Sequence, residues 1–428
     1  MLIEFSVGNY RSFKERVTFS MVAANLVSKD KSIDVNNTFD VDEELKLLRT
    51  AAIYGANASG KSNLARALSF MKWFMVNSSK ETQSTDEISV EPFRLSTATE
   101  GKPSYFELAF LMDGQRYRYG FEVTQERVIS EWLFYVPNIR ETNLFERQID
   151  AIKSSKVYNA DGLQKRTRSN ALFLSVSAQF NVKLAEKILE WLTDKLNIIS
   201  GLHDEAYLSY TVKCFVDNKN KLDIVQLIKN LDLGISEIQV EQEDVTIDSL
   251  PGEMPDELKK IIVKAGGGKA TSIGISHQKF DADGNHKSIE EFDLASHESE
   301  GTKKAFALAG PIITALKEGE ILIIDEFDAR LHPLLSLAIV KLFNSREINP
   351  NNAQLIFMTH DTNLLSNKIF RRDQIWFAEK NRYSATDLYS LAEYKIRNDA
   401  SFESDYIKGR YGAIPYIGNL NHLIESNG

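Results

Sequence analysis

The sequence has one cysteine, Cys214, so no disulfide can close within the chain, and no metal-ligand spacing surrounds that thiol. A buried bystander in a reducing compartment is the expectation. Long apolar runs are missing as well: stretches such as Ile321–Ile324 fall far short of the roughly 20 residues that cross a bilayer. The opening Met1-Leu2-Ile3-Glu4-Phe5-Ser6 lacks the basic, apolar and small-residue succession of an export signal. Both absences predict a cytoplasmic protein that neither spans a membrane nor is exported. Positive charge is in deficit, with 51 Lys and Arg against 60 Asp and Glu giving −9, which argues against a surface that is basic throughout. Only local basic runs remain, Lys165-Arg166-Thr167-Arg168 and Lys213–Lys221, and short charge runs are usually solvated faces. No internal repeat and no low-complexity linker divides the chain.

What is present is the composition of an ordinary folded protein, 43% hydrophobic and 26% charged, which excludes extended disorder. A length of 428 residues predicts one or two domains, or one large α/β domain with an insertion. Residues 2–7 and 15–21 read as short strands around a turn, and Leu47–Tyr54 as one apolar strand. A helix follows from about Lys61 to Val76, apolar at Leu64, Ala67, Leu68, Met71 and Phe74. From Tyr105 to Tyr135 the pattern alternates about a turn at Asp113-Gly114, which predicts an antiparallel hairpin or meander. Residues 160–265 favour helices, clearest at Val182–Leu196 and Leu222–Leu231, with a strand near Tyr207–Val216. Strands return at Thr271–Phe280 and Ile289–Asp293. An alternating β/α tail follows: a helix from Thr302, the buried strand Ile321–Ile324, a helix at Leu334–Asn344, and strands at Gln354–Met358 and Gln374–Phe377.

Gly55-Ala56-Asn57-Ala58-Ser59-Gly60-Lys61-Ser62 matches the complete phosphate-loop pattern G-x-x-x-x-G-K-[ST], between an expected strand and an expected helix. The glycines let successive backbone N–H groups curl round phosphate oxygens, and the helix N-terminus adds the positive end of its dipole. Lys61 is placed to reach the β- and γ-phosphates of ATP, and the Ser62 hydroxyl to hold Mg²⁺. Ile321–Ile324 then ends in Asp325-Glu326, the form of a buried parallel strand that delivers carboxylates to a ligand crevice. Beside a phosphate loop, Asp325 belongs in the Mg²⁺ shell, and Glu326 is the candidate that orients or deprotonates the attacking water. The bland alternative is a strand ending in solvated acids. His360 follows another apolar strand and is the candidate to meet the γ-phosphate or the water, although most lone histidines are structural. His332, beside Pro333, is weaker and fits a turn.

Glu298-Ser299-Glu300-Gly301-Thr302 opens a helix about two dozen residues before Asp325. A hydroxyl, helix-opening N–H groups and a glycine suit an anion, yet an ordinary N-cap has the same appearance.

In this order the pieces resemble the ABC-class ATPases, in the soluble branch that includes SMC, RecF, OLD-type and AbiL- or RloA-like defence ATPases. Asn57 inside Gly55–Asn63 is typical of that branch, and Asn9-Tyr10-Arg11-Ser12-Phe13 looks like its N-terminal turn near the nucleotide. The resemblance implies nucleotide contacts at Arg11, Ser12, Gly55, Asn57, Ser59, Gly60, Lys61, Ser62 and Asn63. It also implies a signature at Ser299, Gly301 and Thr302 that covers ATP on a second copy, and a D-loop acid at Asp328. Glu300 departs from the small residue usual in that signature, and no Gln-loop residue can be placed.

Pro103–Glu107, Tyr117–Glu122 and Gly409–Pro415 look characteristic of stand-alone ATPases of prokaryotic phage-defence and abortive-infection systems. The last motif has no evident chemical role: a packed turn and a docking site both fit. The implied fold is α/β, an ABC-type ATPase head whose phosphate-loop mixed sheet carries an antiparallel subdomain and an α-rich insertion. Its parts are residues 1–140 as the first half of the head, 141–293 as the insertion, and 294–428 as the second half. The implied activity is Mg²⁺-dependent ATP hydrolysis by a homodimer or higher oligomer that controls a separately encoded effector, a nuclease or toxin, in antiviral defence. After residue 390 too little chain follows for the nuclease domain that OLD-type relatives append. A DNA-binding repair or recombination ATPase of the SMC/RecF kind is the alternative, with nucleic acid as partner. A transporter's nucleotide-binding subunit fits poorly.

Overall fold

Alternating apolar residues in the first 154 positions build one antiparallel sheet. Its strands are β1 (Leu2–Gly8), β2 (Val17–Ser20), β6 (Ser104–Met112), β7 (Gln115–Val123), β8 (Val128–Val136), β9 (Thr142–Gln148) and β10 (Ala151–Ser154), in the order β10-β9-β8-β7-β6-β1-β2. The structure is a computed structural model and describes residues 1–137, 140–231, 234–244, 246, 254, 255, 257–259, 269–397 and 400–416. Parts of the helix-favouring stretch 160–265, notably 247–253 and 260–265, lie outside the described residues. The β6–β7 turn at Asp113-Gly114 has φ of 51° and 74°, the twist that a two-residue hairpin needs. This sheet runs on past residue 140 through β9 and β10. Arg147 of β9 is buried and donates to the carbonyls of Ile149 and Ala171, which ties the following segment to the sheet.

The second large sheet has the order β11-β15-β16-β5-β17-β18, from β11 (Leu196–Ser200), β15 (Ile321–Asp325), β16 (Gln354–Met358), β5 (Thr50–Tyr54), β17 (Ile375–Lys380) and β18 (Thr386–Ser390). The first five are parallel and β18 is antiparallel to β17. The near-continuous apolar runs of β5, β15, β16 and β17 follow from burial on both faces. Parallel pairing puts the C-terminal tips of β5, β15, β16 and β17 along one edge, where ligand crevices of such sheets form. The apolar run Leu47–Tyr54 is two strands, not the single one expected. Lys46–Leu48 (β4) pairs with Thr38–Asp40 (β3) in a separate ribbon, and β5 begins at Thr50. Between them buried Arg49 donates from one guanidinium nitrogen to the Asn349 carbonyl at 2.9 Å, while its Nε is buried without a partner.

The helix Lys61–Asn77 buries the expected Leu64, Ala67, Leu68, Met71 and Phe74. Phe74 meets Phe121 of the antiparallel sheet edge-on at 5.5 Å, and one apolar cluster joins this helix to residues of both large sheets. This packing fixes the helix N-terminus at the ligand edge.

Contacts divide the chain into two units: residues 1–202 with 315–329 and 336–428, and residues 203–314 with 330–335. The second unit holds the helices Glu205–Val216 and Lys221–Asn230, most of the helix Glu300–Glu318, and an antiparallel sheet of β12 (Glu237–Asp244), β13 (Lys269–Phe280) and β14 (His286–Asp293). The strand expected near Tyr207–Val216 is therefore a helix. Its buried Tyr207, Thr211, Val212, Cys214 and Phe215 recur at helical spacing, and Thr211 Oγ1 donates to the Ala307 carbonyl at 2.7 Å. Tertiary packing overrides the local preference of β-branched and aromatic residues for strands. Among the described residues no helix is long and apolar enough to cross a membrane.

Candidate functional site

Between β5 and the helix Lys61–Asn77 the chain makes its phosphate-loop turn. Gly60 has φ of 112°, and a Cβ there would overlap Thr386 Oγ1 and lie 2.8 Å from Ser12 Oγ, so only glycine fits. Thr386 Oγ1 donates to the Ser59 carbonyl at 2.7 Å, and its N–H donates to the Ser12 carbonyl at 2.7 Å. Asn63 Nδ2 donates to Ser12 Oγ at 2.8 Å. The N-terminal turn and β18 thus brace the loop from behind. Arg11 is paired with Glu91 at 2.5 Å, and neither Arg11 nor Ser12 lines the cleft in front of the loop.

That cleft, of about 580 Å³, is lined by residues 57–63 together with Arg66, Glu326, His360 and Lys380. Gly55 lies at its back, where its carbonyl accepts from Lys61 Nζ at 2.7 Å, and the Ala56 carbonyl accepts at 3.1 Å. Burial holds the Lys61 ammonium down at about 8, against the opposing pull of Asp325, Asp328 and Glu326. Ser59 Oγ is buried without a hydrogen-bond partner.

Asp325 ends β15, and its Oδ1 is buried without a partner. An orphaned buried carboxylate oxygen fits a cation better than it fits folding alone. Among the described residues no three His, Cys, Asp or Glu cluster as a self-contained metal site. Asp325 and the Ser62 hydroxyl could supply the few protein donors that a Mg²⁺ held mainly by phosphates and water needs. Glu326 takes a left-handed φ of 53°, uncommon for a residue other than glycine and costing on the order of 1–3 kcal/mol. Its neighbour Phe327 pays no such penalty: it is fully buried, packs on Phe357 at 4.8 Å, and donates its N–H to the Met358 carbonyl at 3.0 Å. With Phe327 anchored inward, Glu326 faces the cleft.

His360 follows β16 at the same edge, and its N–H donates to Asp328 Oδ1 at 3.2 Å. Burial, and then the Lys61 cation, lower its imidazole below the ordinary histidine value, while Asp328, Glu326 and Asp325 pull the other way. At pH 7 the ring is neutral and can accept or donate a hydrogen bond. Lys61, Ser62, Glu326 and His360 therefore share one cleft; Asp325 and Asp328 stand at its margin.

Ser299, Gly301 and Thr302 belong to the second unit. Ser299 Oγ accepts from the Thr302 N–H at 3.1 Å and shares a 2.9 Å hydrogen bond with the Thr302 hydroxyl, the geometry of an N-cap on the helix Glu300–Glu318. Glu300 is paired with Lys303 and Arg330.

The Gly409–Pro415 motif is a packed turn. Tyr389 and Tyr394 both donate to the Tyr411 carbonyl, at 2.8 and 3.2 Å, and Tyr406 donates to that of Ala413 at 3.0 Å. The Tyr406 ring lies 6.0 Å from that of Tyr54, the residue before Gly55. The run Lys165–Arg168 is not a free basic patch, because Arg168 donates to the carbonyls of Thr82 and Ser78.

Sequence reasoning missed Arg66, Lys380, Thr386 and Gly201. Arg66 carried a usable signal, since it stands one helical turn after Ser62 on the same face. The other three are brought in by strand pairing alone.

A phosphate loop, two acids and a histidine on adjacent tips of a parallel sheet, with an antiparallel sheet packed over the loop's helix, define a P-loop ATPase head of the ABC class. The chain belongs to the family described as "AAA domain, putative AbiEii toxin, Type IV TA system", whose model matches residues 51–366. No curated protein matches the chain. Among solved structures it is similar to the SMC head domain from Thermotoga maritima, at 13% identity, covering 91% of this chain and 98% of that one, with a TM-score of 0.38. It is also similar to the Smc head domain with an extended coiled coil bound to the C-terminal domain of ScpA from Pyrococcus furiosus, at 13% identity, 96% and 98% coverage and a TM-score of 0.36. A third is the recombination mediator protein RecF, at 15% identity, 91% and 98% coverage and a TM-score of 0.34.

Proposed function

We propose that the protein hydrolyses ATP with Mg²⁺ and works as a dimeric switch that holds or releases a separate effector in prokaryotic antiviral defence. The observation that carries the hydrolytic part is Glu326, held in a left-handed turn so that it lines the same cleft as Lys61. The phosphate-loop N–H groups and Lys61 bind the phosphates; Glu326 orients or deprotonates the water; neutral His360 donates to the charge that develops on the γ-phosphate. Asp325 and Ser62 would hold the Mg²⁺, which neutralises phosphate charge when bound.

The dimeric part rests on the resemblance: Ser299, Gly301 and Thr302 lie at a helix opening suited to an anion on a second copy. The defence part rests on the family description, which names a toxin of a type IV toxin–antitoxin system.

The test is phosphate release, nucleotide binding and mass by light scattering on the wild type, Lys61→Ala and Glu326→Gln. Lys61→Ala is expected to lose binding. Glu326→Gln is expected to bind ATP, turn it over slowly and accumulate as an ATP-bound dimer. A Glu326→Gln protein that stays monomeric in saturating ATP would overturn the shared site. Hydrolysis at the wild-type rate by that variant would overturn the role of Glu326.

A further inference from the structure

The geometry points to Arg66 and Lys380 as positioning residues that grip the phosphate chain of the nucleotide from outside the loop. This rests on the reading of the cleft as an ATP site.

Both side chains line the cleft, and neither has an ion-pair or hydrogen-bond partner among the described residues. Arg66 lies one turn beyond Ser62 on the same face of its helix. Helical Cα–Cβ bonds tilt toward the N-terminus, so its long side chain reaches back over the phosphate-binding end. Lys380 closes β17, whose Phe377 is in register with Tyr54 of the parallel neighbour β5. Three residues further on, Lys380 ends the strand on the side of the sheet edge from which the phosphate loop departs, and it lines the same cleft as Asn57.

The cleft lining thus holds three cations, Lys61, Arg66 and Lys380, against one carboxylate, Glu326. The cationic excess matches a polyphosphate. The phosphate-loop pattern assigns Lys61 to the β- and γ-phosphates. The two exposed cations are free to take the oxygens that the loop's N–H groups leave to solvent. Such contacts are made equally in the ground state and the transition state, so they act on affinity and not on the chemical step.

The test uses the full-length protein with Mg²⁺ and a ribose-labelled fluorescent ATP analogue, alongside steady-state phosphate release. Arg66→Ala and Lys380→Ala are each expected to raise Kd and KM about tenfold, with kcat within about threefold of the wild type. Arg66→Lys and Lys380→Arg keep the charge and should recover most of the affinity. The Ala variants should also show a shallower fall of affinity with salt. Wild-type Kd in both Ala variants, or a fall in kcat at unchanged KM, would overturn the inference while leaving the ATP site intact. If the wild type itself failed to bind the analogue, the ATP reading would fall and this inference with it.

Discussion

Gly201 and Glu326 lie so close that a Cβ on Gly201 would overlap the Glu326 carbonyl oxygen. The contact follows from the parallel pairing of Ser200 with Asp325, after which the Gly201 N–H donates to the Asp325 carbonyl at 2.6 Å. The bare glycine leaves the space in which the chain turns left-handed at Glu326. Gly201→Ala should therefore push the Glu326 turn away from the cleft without touching the phosphate loop. The expected outcome is a drop of about 10²-fold in kcat for ATP hydrolysis, with nucleotide affinity within about threefold of the wild type. Steady-state phosphate release and fluorescent-nucleotide titration check it, and an unchanged kcat would show that the turn tolerates the methyl group.

The edge of the parallel sheet was legible because each of its tips carries a local signature. Gly55–Ser62 follows one apolar run, Asp325-Glu326 a second and His360 a third, and runs buried on both faces need no partner to be recognised. What stayed hidden depends on pairing between distant segments. Thr386 acquires its place against Ser59 only because β18 turns back beside β17 and β17 lies beside β5. The break at Arg49 carries no turn residue to mark it, and the carbonyl that receives its guanidinium lies 300 residues away. The helix at Glu205–Val216 was masked by Tyr, Thr, Val and Phe, whose local preference for strands yields to burial against the helix Glu300–Glu318 within the second unit.

Thr386→Val isolates the brace behind the loop. Valine keeps the shape but removes the hydroxyl that donates to the Ser59 carbonyl at 2.7 Å, within buried surroundings. The loss is about 1 kcal/mol of loop stability. Since that loop must be ordered to bind phosphate, Kd for ATP should rise about fivefold, with kcat at saturation nearly unchanged. Isothermal titration decides it, and an affinity equal to that of the wild type would show that Thr386 only fills space.

The tyrosine cluster around the Gly409–Pro415 turn gives a stability prediction. Tyr406 is buried, stacks on Phe377 at 5.4 Å and donates to the Ala413 carbonyl. Tyr406→Phe removes only that hydrogen bond, at a cost of about 1 kcal/mol. Tyr406→Ala also opens a cavity against Tyr54 and Phe377, at a cost of about 3–4 kcal/mol. Urea unfolding followed by tryptophan fluorescence should rank the midpoints wild type, Phe, Ala. Equal midpoints for all three would mean that the turn contributes nothing to the head.

The depressed Lys61 ammonium gives nucleotide binding a definite pH dependence. In the free protein burial holds it at about 8, so at pH 7 it is charged and by pH 9 it is mostly neutral. Bound phosphate favours the charged form and raises that value again. Between the free and the bound value the nucleotide must therefore bring a proton with it, and affinity falls as pH rises, by on the order of tenfold per pH unit at most. The triphosphate adds no titration of its own in this range, because a phosphate's second ionisation lies near pH 6. Kd for ATP should be flat from pH 7 to 7.5 and climb above pH 8. Calorimetry above pH 8 in buffers of different ionisation enthalpy should report uptake of up to one proton. Lys61→Arg, whose guanidinium keeps its charge throughout, should bind more weakly but with a flat profile across the same range. A wild-type Kd independent of pH up to 9.5, or a climb that survives in Lys61→Arg, would mean that the proton sits on some other group.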